Sequence, residues 1–104
     1  MRNPLQSFFE AQLAGLSQKL TQAVGELERM ELEGSAGGGA VRIRMSGTAQ
    51  VLEVIISPEA LSENDPALLE GLVAAALRDV LAKVARARKE KLLGATPLAG
   101  LGLD

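Results

Sequence analysis

Seven apolar residues, Phe9, Leu13, Leu16, Leu20, Ala23, Leu27 and Met30, follow one another at spacings of 4, 3, 4, 3, 4 and 3. Such spacings return to one side of an α-helix every two turns, so the pattern predicts a helix from Pro4 to about Met30. Gln12, Ser17, Gln18, Lys19, Gln22, Glu26 and Glu28 occupy its other side. At 1.5 Å per residue this helix is about 40 Å long, more than one small sheet can cover. Part of the stripe is therefore expected to meet another helix, from this chain or from a second copy, the alternative being that it packs only on its own sheet.

The stretch GSAGGGAVRIRMSG, residues 34 to 47, holds five glycines. A Walker-type phosphate loop needs Lys followed by Ser or Thr after its last glycine, and here Ala40 and Val41 stand there. A dinucleotide loop needs a further glycine three residues on, opening a helix. Arg42 occupies that place, inside a pattern of period two. The glycines therefore make a hairpin loop, with Gly37, Gly38 and Gly39 supplying positive φ where the turn requires it.

Around that loop the sequence reads as three strands. Glu31-Leu32-Glu33 forms a short first strand. In the second, Val41, Ile43 and Met45 alternate with Arg42 and Arg44. After the Ser46-Gly47-Thr48 turn, residues 50 to 56 are apolar on both faces, Val51 and Ile55 on one and Leu52, Val54 and Ile56 on the other. A strand apolar on both faces requires cover on both faces, from helices of its own chain or from a partner. Ser57-Pro58 and Asp65-Pro66 are helix starts, each a capping side chain before a proline at the first helical position. They predict a short turn at 58 to 62 and a long helix from Pro66 to about Leu93. Leu69, Val73, Ala76, Val80, Val84 and Ala87 form that helix's buried stripe, while Gly71, Ala75, Ala82, Arg78, Arg86 and Lys89 share its opposite side. Lys91 falls where the next core residue would stand, so the last turns leave the sheet and project into solvent. Residues 94 to 104, with Pro97 and no period, are expected to be a flexible tail. The whole is an α+β domain over residues 1 to 93: long N-terminal helix, three-stranded antiparallel sheet, long C-terminal helix.

Composition narrows the function. A chain of 104 residues without cysteine or histidine has no thiol nucleophile, no imidazole base and few ways to hold zinc. Glu26, Glu28, Glu31 and Glu33 form the only acidic cluster, and no further ligands accompany it, so neither a metal, a cofactor nor an enzymatic activity is expected. No apolar run approaches the roughly 20 residues that span a bilayer, and the N-terminus lacks the apolar core of a secretory signal. A soluble, cytoplasmic protein without membrane contact is expected. Net charge is −2, but residues 71 to 104 carry six basic and three acidic side chains. Lys83, Arg86, Arg88, Lys89 and Lys91 set five cations against Glu90 within nine residues. Such a cluster can neutralise phosphates and release counterions. It can equally be a solvated helix end that complements the helix dipole. Arg42 and Arg44, on an outward strand face, are weaker candidates. Phe8 and Phe9, the only aromatic residues, are far in sequence from the basic cluster, which disfavours base stacking on single strands.

The segments ELEGSAGGGAVRIRMSGTAQVLEVIISPEAL and LLEGLVAAALRDVLAKVARARKEKL resemble the YbaB/EbfC family of bacterial nucleoid-associated proteins. The shared features are Glu-Gly before a Gly-rich hairpin and alternating strand, the later Ile-Ser-Pro-Glu, the Leu-Val-x-Ala-Ala helix start and the closing Lys-Glu-Lys. They cover roughly residues 5 to 93 in order and spacing. The resemblance implies a homodimer with joined sheets and projecting helices that binds double-stranded DNA in the nucleoid with little sequence preference. Lys83, Arg86, Arg88, Lys89, Lys91 and Arg78 are then the DNA-binding candidates, with Lys19, Arg42 and Arg44 as weaker ones. Leu13, Leu16, Leu20, Val51, Ile55, Gly71 and Ala75 are candidates for the dimer interface. The rival reading is a dimeric adaptor for replication, repair or recombination proteins that uses the first helix's stripe and the apolar tail.

Overall fold

A computed structural model describes residues 3 to 95. In chain order its elements are α1 (Pro4–Arg29), β1 (Leu32–Ala36), β2 (Val41–Met45), β3 (Val51–Ile56), α2 (Pro58–Ser62) and α3 (Pro66–Gly94). Each helix starts on a side-chain cap followed by proline. The Asn3 side chain accepts from the Gln6 N–H at 2.8 Å, Ser57 from Ala60 at 3.2 Å and Asp65 from Leu68 at 3.1 Å. Such caps satisfy N–H groups that the first helical turn leaves without partners.

The strands form one antiparallel sheet in the order β1-β2-β3. Gly37, Gly38 and Gly39 join β1 to β2 with φ of 65°, 66° and 94°, the left-handed conformations expected of them. β1 is longer than its sequence suggested, because it continues through Gly34, Ser35 and Ala36 into register with Ile43, Arg42 and Val41. This strand position takes glycine because α3 crosses directly above it. A Cβ there would lie 2.6 Å from the Ala76 carbonyl oxygen.

β3 departs from strict alternation. Arg44 pairs with Glu53 and Met45 with Val51, so Leu52 is an extra residue, a β-bulge. Val51 therefore stands opposite Met45, separated from the face it was expected to share with Ile55.

α3 lies over β1 and β2. Ala76, Val80 and Val84 from the helix close on Val41, Ile43 and Met45 from β2, and all six are buried. Leu69 and Val73 pack at the edge of this core, and Ala87 extends it. β3 lies outside this cover: Val51, Leu52 and Val54 are 57%, 47% and 51% exposed.

α1 runs antiparallel to the last turns of α3. Only Ala23 and Leu27 of its stripe are buried, and Leu16, Leu20 and Met30 are half-buried. The buried Ser46-Gly47 turn secures its end: the Gly47 N–H donates to the Leu27 carbonyl at 2.8 Å, and a Cβ on Gly47 would strike the same carbonyl at 2.7 Å. The radius of gyration is 20.2 Å and the longest extent 73 Å, against about 13 Å expected for the radius of a compact domain of this length. The elongation comes from two long helices on a three-stranded sheet. The last turns of α3 leave the sheet, as Lys91 suggested, but they do not stand alone. α1 lies beside them, and Lys91 meets Glu26 across the pair at 3.0 Å.

The expected flexible tail falls at residues 94 to 104. Gly94 closes α3 and Ala95 caps it, and residues 96 to 104 lie outside the described residues.

Candidate nucleic-acid interface

The basic residues of α3 divide into two groups. Lys83 and Lys91 lie at the surface but are engaged by partners within the chain. The Lys83 ammonium donates to the Glu33 carbonyl at 2.7 Å and stands 3.6 Å from Asp79, fastening α3 to β1. One turn earlier, Asp79 accepts the Ser35 N–H at 3.0 Å. That hydrogen bond, with the Lys83 charge beside it, holds the Asp79 carboxyl below its ordinary value. Lys91 is joined to Glu26, as described above.

Arg78, Arg86, Arg88 and Lys89 are exposed, and no ion pair among the described residues engages them. At 100° per residue Arg78, Arg86 and Lys89 fall within about 80° of one another, on the side of α3 opposite Ala76 and Val80. Gly71, Ala75 and Ala82 share that side, so nothing bulky stands between the cations. Arg88 flanks the row. From Arg78 to Lys89 the row is about 16 Å long. Gly71 is exposed with open space around it, and Ala75 is half-buried.

The strand arginines are neutralised by their neighbours. Arg44 contacts Glu31 and Glu53, each at 2.8 Å. The Glu53 hydrogen bond, followed by Glu31, holds the guanidinium more firmly in its charged form. Arg42 faces Glu33 at 4.0 Å. Three of the four glutamates in the acidic cluster are thus partners of basic side chains: Glu26, Glu31 and Glu33. Among the described residues no group of three or more His, Cys, Asp or Glu is placed to hold a metal ion. Lys19 lines the groove between α1 and α3 with Glu26, Glu90 and Lys91.

The dimer candidates scatter. Leu13 is 66% exposed near the free end of α1, Leu16 and Leu20 face the α3 end, and Val51 and Ile55 lie on the edge strand. Which cations are already occupied was not legible in the chain. Lys83 and Glu33 are 50 residues apart, and no local pattern joins them.

No helix among the described residues is long and apolar enough to cross a membrane. Residues 4 to 99 match the profile of the YbaB/EbfC DNA-binding family. A nucleoid-associated protein of Dictyoglomus turgidum is 41% identical over 92 residues, covering 88% of this chain and 86% of that one. Another, from Thermosynechococcus vestitus, is 48% identical over 80 residues, covering 74% and 69%. The crystal structure of the uncharacterized Helicobacter pylori protein HP0035 shares the fold, with a TM-score of 0.73 at 20% identity over 86% of this chain and 92% of that one.

Proposed function

Because this chain belongs to the YbaB/EbfC DNA-binding family, we propose that it is a nucleoid-associated protein that binds duplex DNA as a homodimer, through phosphates and with little sequence preference. The observation that carries the reading is the row Arg78, Arg86 and Lys89, flanked by Arg88, exposed and without ion pairs among the described residues. Cations already held by carboxylates have less to gain from a phosphate, because the existing pair must first be broken. Lys83, Lys91, Arg42 and Arg44 therefore contribute less than the row. No polar side chains at base-reading spacing accompany it, so contacts position the protein without specifying a site. The site of action is the nucleoid, in the cytoplasm.

The exposed apolar strand β3 supports the dimer. Its outer edge has no strand beside it among the described residues, and Val51, Leu52 and Val54 are uncovered. Such an edge pairs readily with another. Two-fold symmetry would set β3 antiparallel against its own copy and join the sheets. Such pairing satisfies the backbone groups of that edge and sets the two copies of β3 side by side, so that apolar side chains meet along the seam.

The test is fluorescence anisotropy of a labelled duplex across a salt series, with Arg78, Arg86, Arg88 and Lys89 changed to Ala. Binding by the unaltered protein should weaken steeply with salt, and the variant's log-log slope should fall by about 0.9 for each phosphate it no longer neutralises. Changing Lys83 and Lys91 instead should reduce the slope less. Absence of binding at low salt overturns the DNA reading; an unchanged slope in the four-site variant overturns the location. Light scattering on Val54→Lys checks the dimer, which a charge on the edge strand should dissociate.

A further inference from the structure

The two engaged lysines of α3 are engaged in different ways. Lys83 donates to a backbone carbonyl, that of Glu33 at 2.7 Å, with the Asp79 carboxylate beside it. Glu33 is paired within the sheet, so its carbonyl cannot swing away. The Lys91 ammonium meets one partner among the described residues, the Glu26 carboxylate of α1 at 3.0 Å, and the two side chains are 39% and 40% exposed. A single pair this exposed is held weakly, because water solvates both groups and two long side chains must be ordered to form it. Another anion can take the carboxylate's place.

The pair lies in an open groove of about 440 Å³ between the ends of α1 and α3, where Lys19, Gln22 and Glu90 also line the walls. Lys19 and Glu26 are seven residues apart, so they share one side of α1 about 10 Å from each other. Lys19 is exposed, and no ion pair among the described residues engages it. With Glu26 in place the groove carries two cations and two anions. With Glu26 turned out, Lys19 and Lys91 face Glu90 alone, and the Gln22 amide adds a donor. The groove also adjoins the exposed cations, since Glu90 on its wall is one turn beyond Arg86 and about 40° from it around α3.

A carboxylate and a phosphate make the same demand on an ammonium, which donates to a charged oxygen in either case. We propose, on the premise that the chain binds duplex DNA, that Glu26 occupies the place of a DNA phosphate at Lys91. The groove between α1 and α3 is then a further part of the duplex-binding surface, masked by a carboxylate that competes with phosphate for one ammonium. Glu26 has the advantage of belonging to the same chain, which keeps its local concentration high. The phosphate has the advantage of the counterions released when it is neutralised, which is greatest at low salt. Masking is therefore weakest at low salt and strengthens as salt rises.

The experiment compares Glu26→Gln with Glu28→Gln in anisotropy titrations of a labelled duplex across a salt series. Each removes one negative charge from the last turns of α1, but Glu28 is exposed and no ion pair among the described residues engages it. Glu26→Gln should bind at least about threefold more tightly than Glu28→Gln at low salt, with a log-log slope steeper than that of the unaltered protein by about 0.9, for one further phosphate neutralised. Adding Lys91→Ala to Glu26→Gln should remove both the gain and the extra slope. Equal binding by the two single variants overturns the proposal in favour of net charge, as does a gain that persists without Lys91. Weaker binding by Glu26→Gln overturns it too, and assigns the pair to holding α1 in position. Each of these failures leaves DNA binding itself standing; that premise falls, and the proposal with it, if neither the unaltered protein nor any variant binds the duplex at low salt.

Discussion

α1 and α3 are nearly equal in length, 26 and 29 residues, and each carries an apolar stripe at helical spacing. Their fates differ. α3 spends its first two-thirds on β1 and β2, so its stripe is core and its opposite face is free to carry cations. α1 is seated at its C-terminal end, by Leu27 and the Ser46-Gly47 turn, and beyond α3 its stripe meets nothing among the described residues. The same pattern can thus mark a core helix or a projecting one. The difference lies in the width of a three-stranded sheet and in which helix reaches it first.

The comparison can be broken most directly beneath α3. Gly34→Ala places a methyl against the Ala76 carbonyl and the Val80 backbone, neither of which can rotate away. A loss of about 3 kcal/mol is expected in denaturant unfolding, at the upper end for overpacking. Gly71→Ala, in open space on the same helix, should instead stabilise by up to about 1 kcal/mol. If Gly71→Ala weakens the dimer, a partner backbone packs there.

Leu27→Ala tests how α1 is held. Leu27 is 2% exposed, and its truncation should cost about 2 to 3 kcal/mol. The sharper expectation is local: hydrogen exchange should rise throughout α1 while amides of Val80 and Val84 keep most of their protection. Equal loss in both helices would mean that they unfold as one unit.

The smallest effect concerns the fastening of α3 to β1. The Asp79 carboxyl titrates below its ordinary value when folded, chiefly because it accepts the Ser35 N–H. The unfolded chain then binds more protons than the folded one in the acid range, so stability rises with pH there. The contribution is fully present above the ordinary Asp value, about 3.9, and is lost as pH falls through the lower folded value. Stability curves of the unaltered protein and Asp79→Asn should therefore run apart at neutral pH and converge below about pH 4. A gap independent of pH would assign the effect to shape alone.

Much of this molecule was legible in the chain because it depends on neighbours a few residues apart. Ser57-Pro58 and Asp65-Pro66 mark helix starts through a side chain and an N–H three residues on. Gly37 to Gly39 mark a turn through their own φ, and Ala76, Val80 and Val84 mark a face through the helix's own period. Family membership was legible for a related reason, since the order and spacing of those local pieces survive in the sequence. Other features required residues far apart to meet. Position 34 has no room for a side chain because of Ala76 and Val80, Lys83 is occupied because of Glu33, and Lys91 because of Glu26. The bulge at Leu52, which turns Val51 away from Ile55, is set by pairing with β2. Sequence patterns record what a residue does to its own turn or strand. Which surfaces are covered, and which cations remain free for another molecule, are decided when elements dozens of residues apart exclude water from one another.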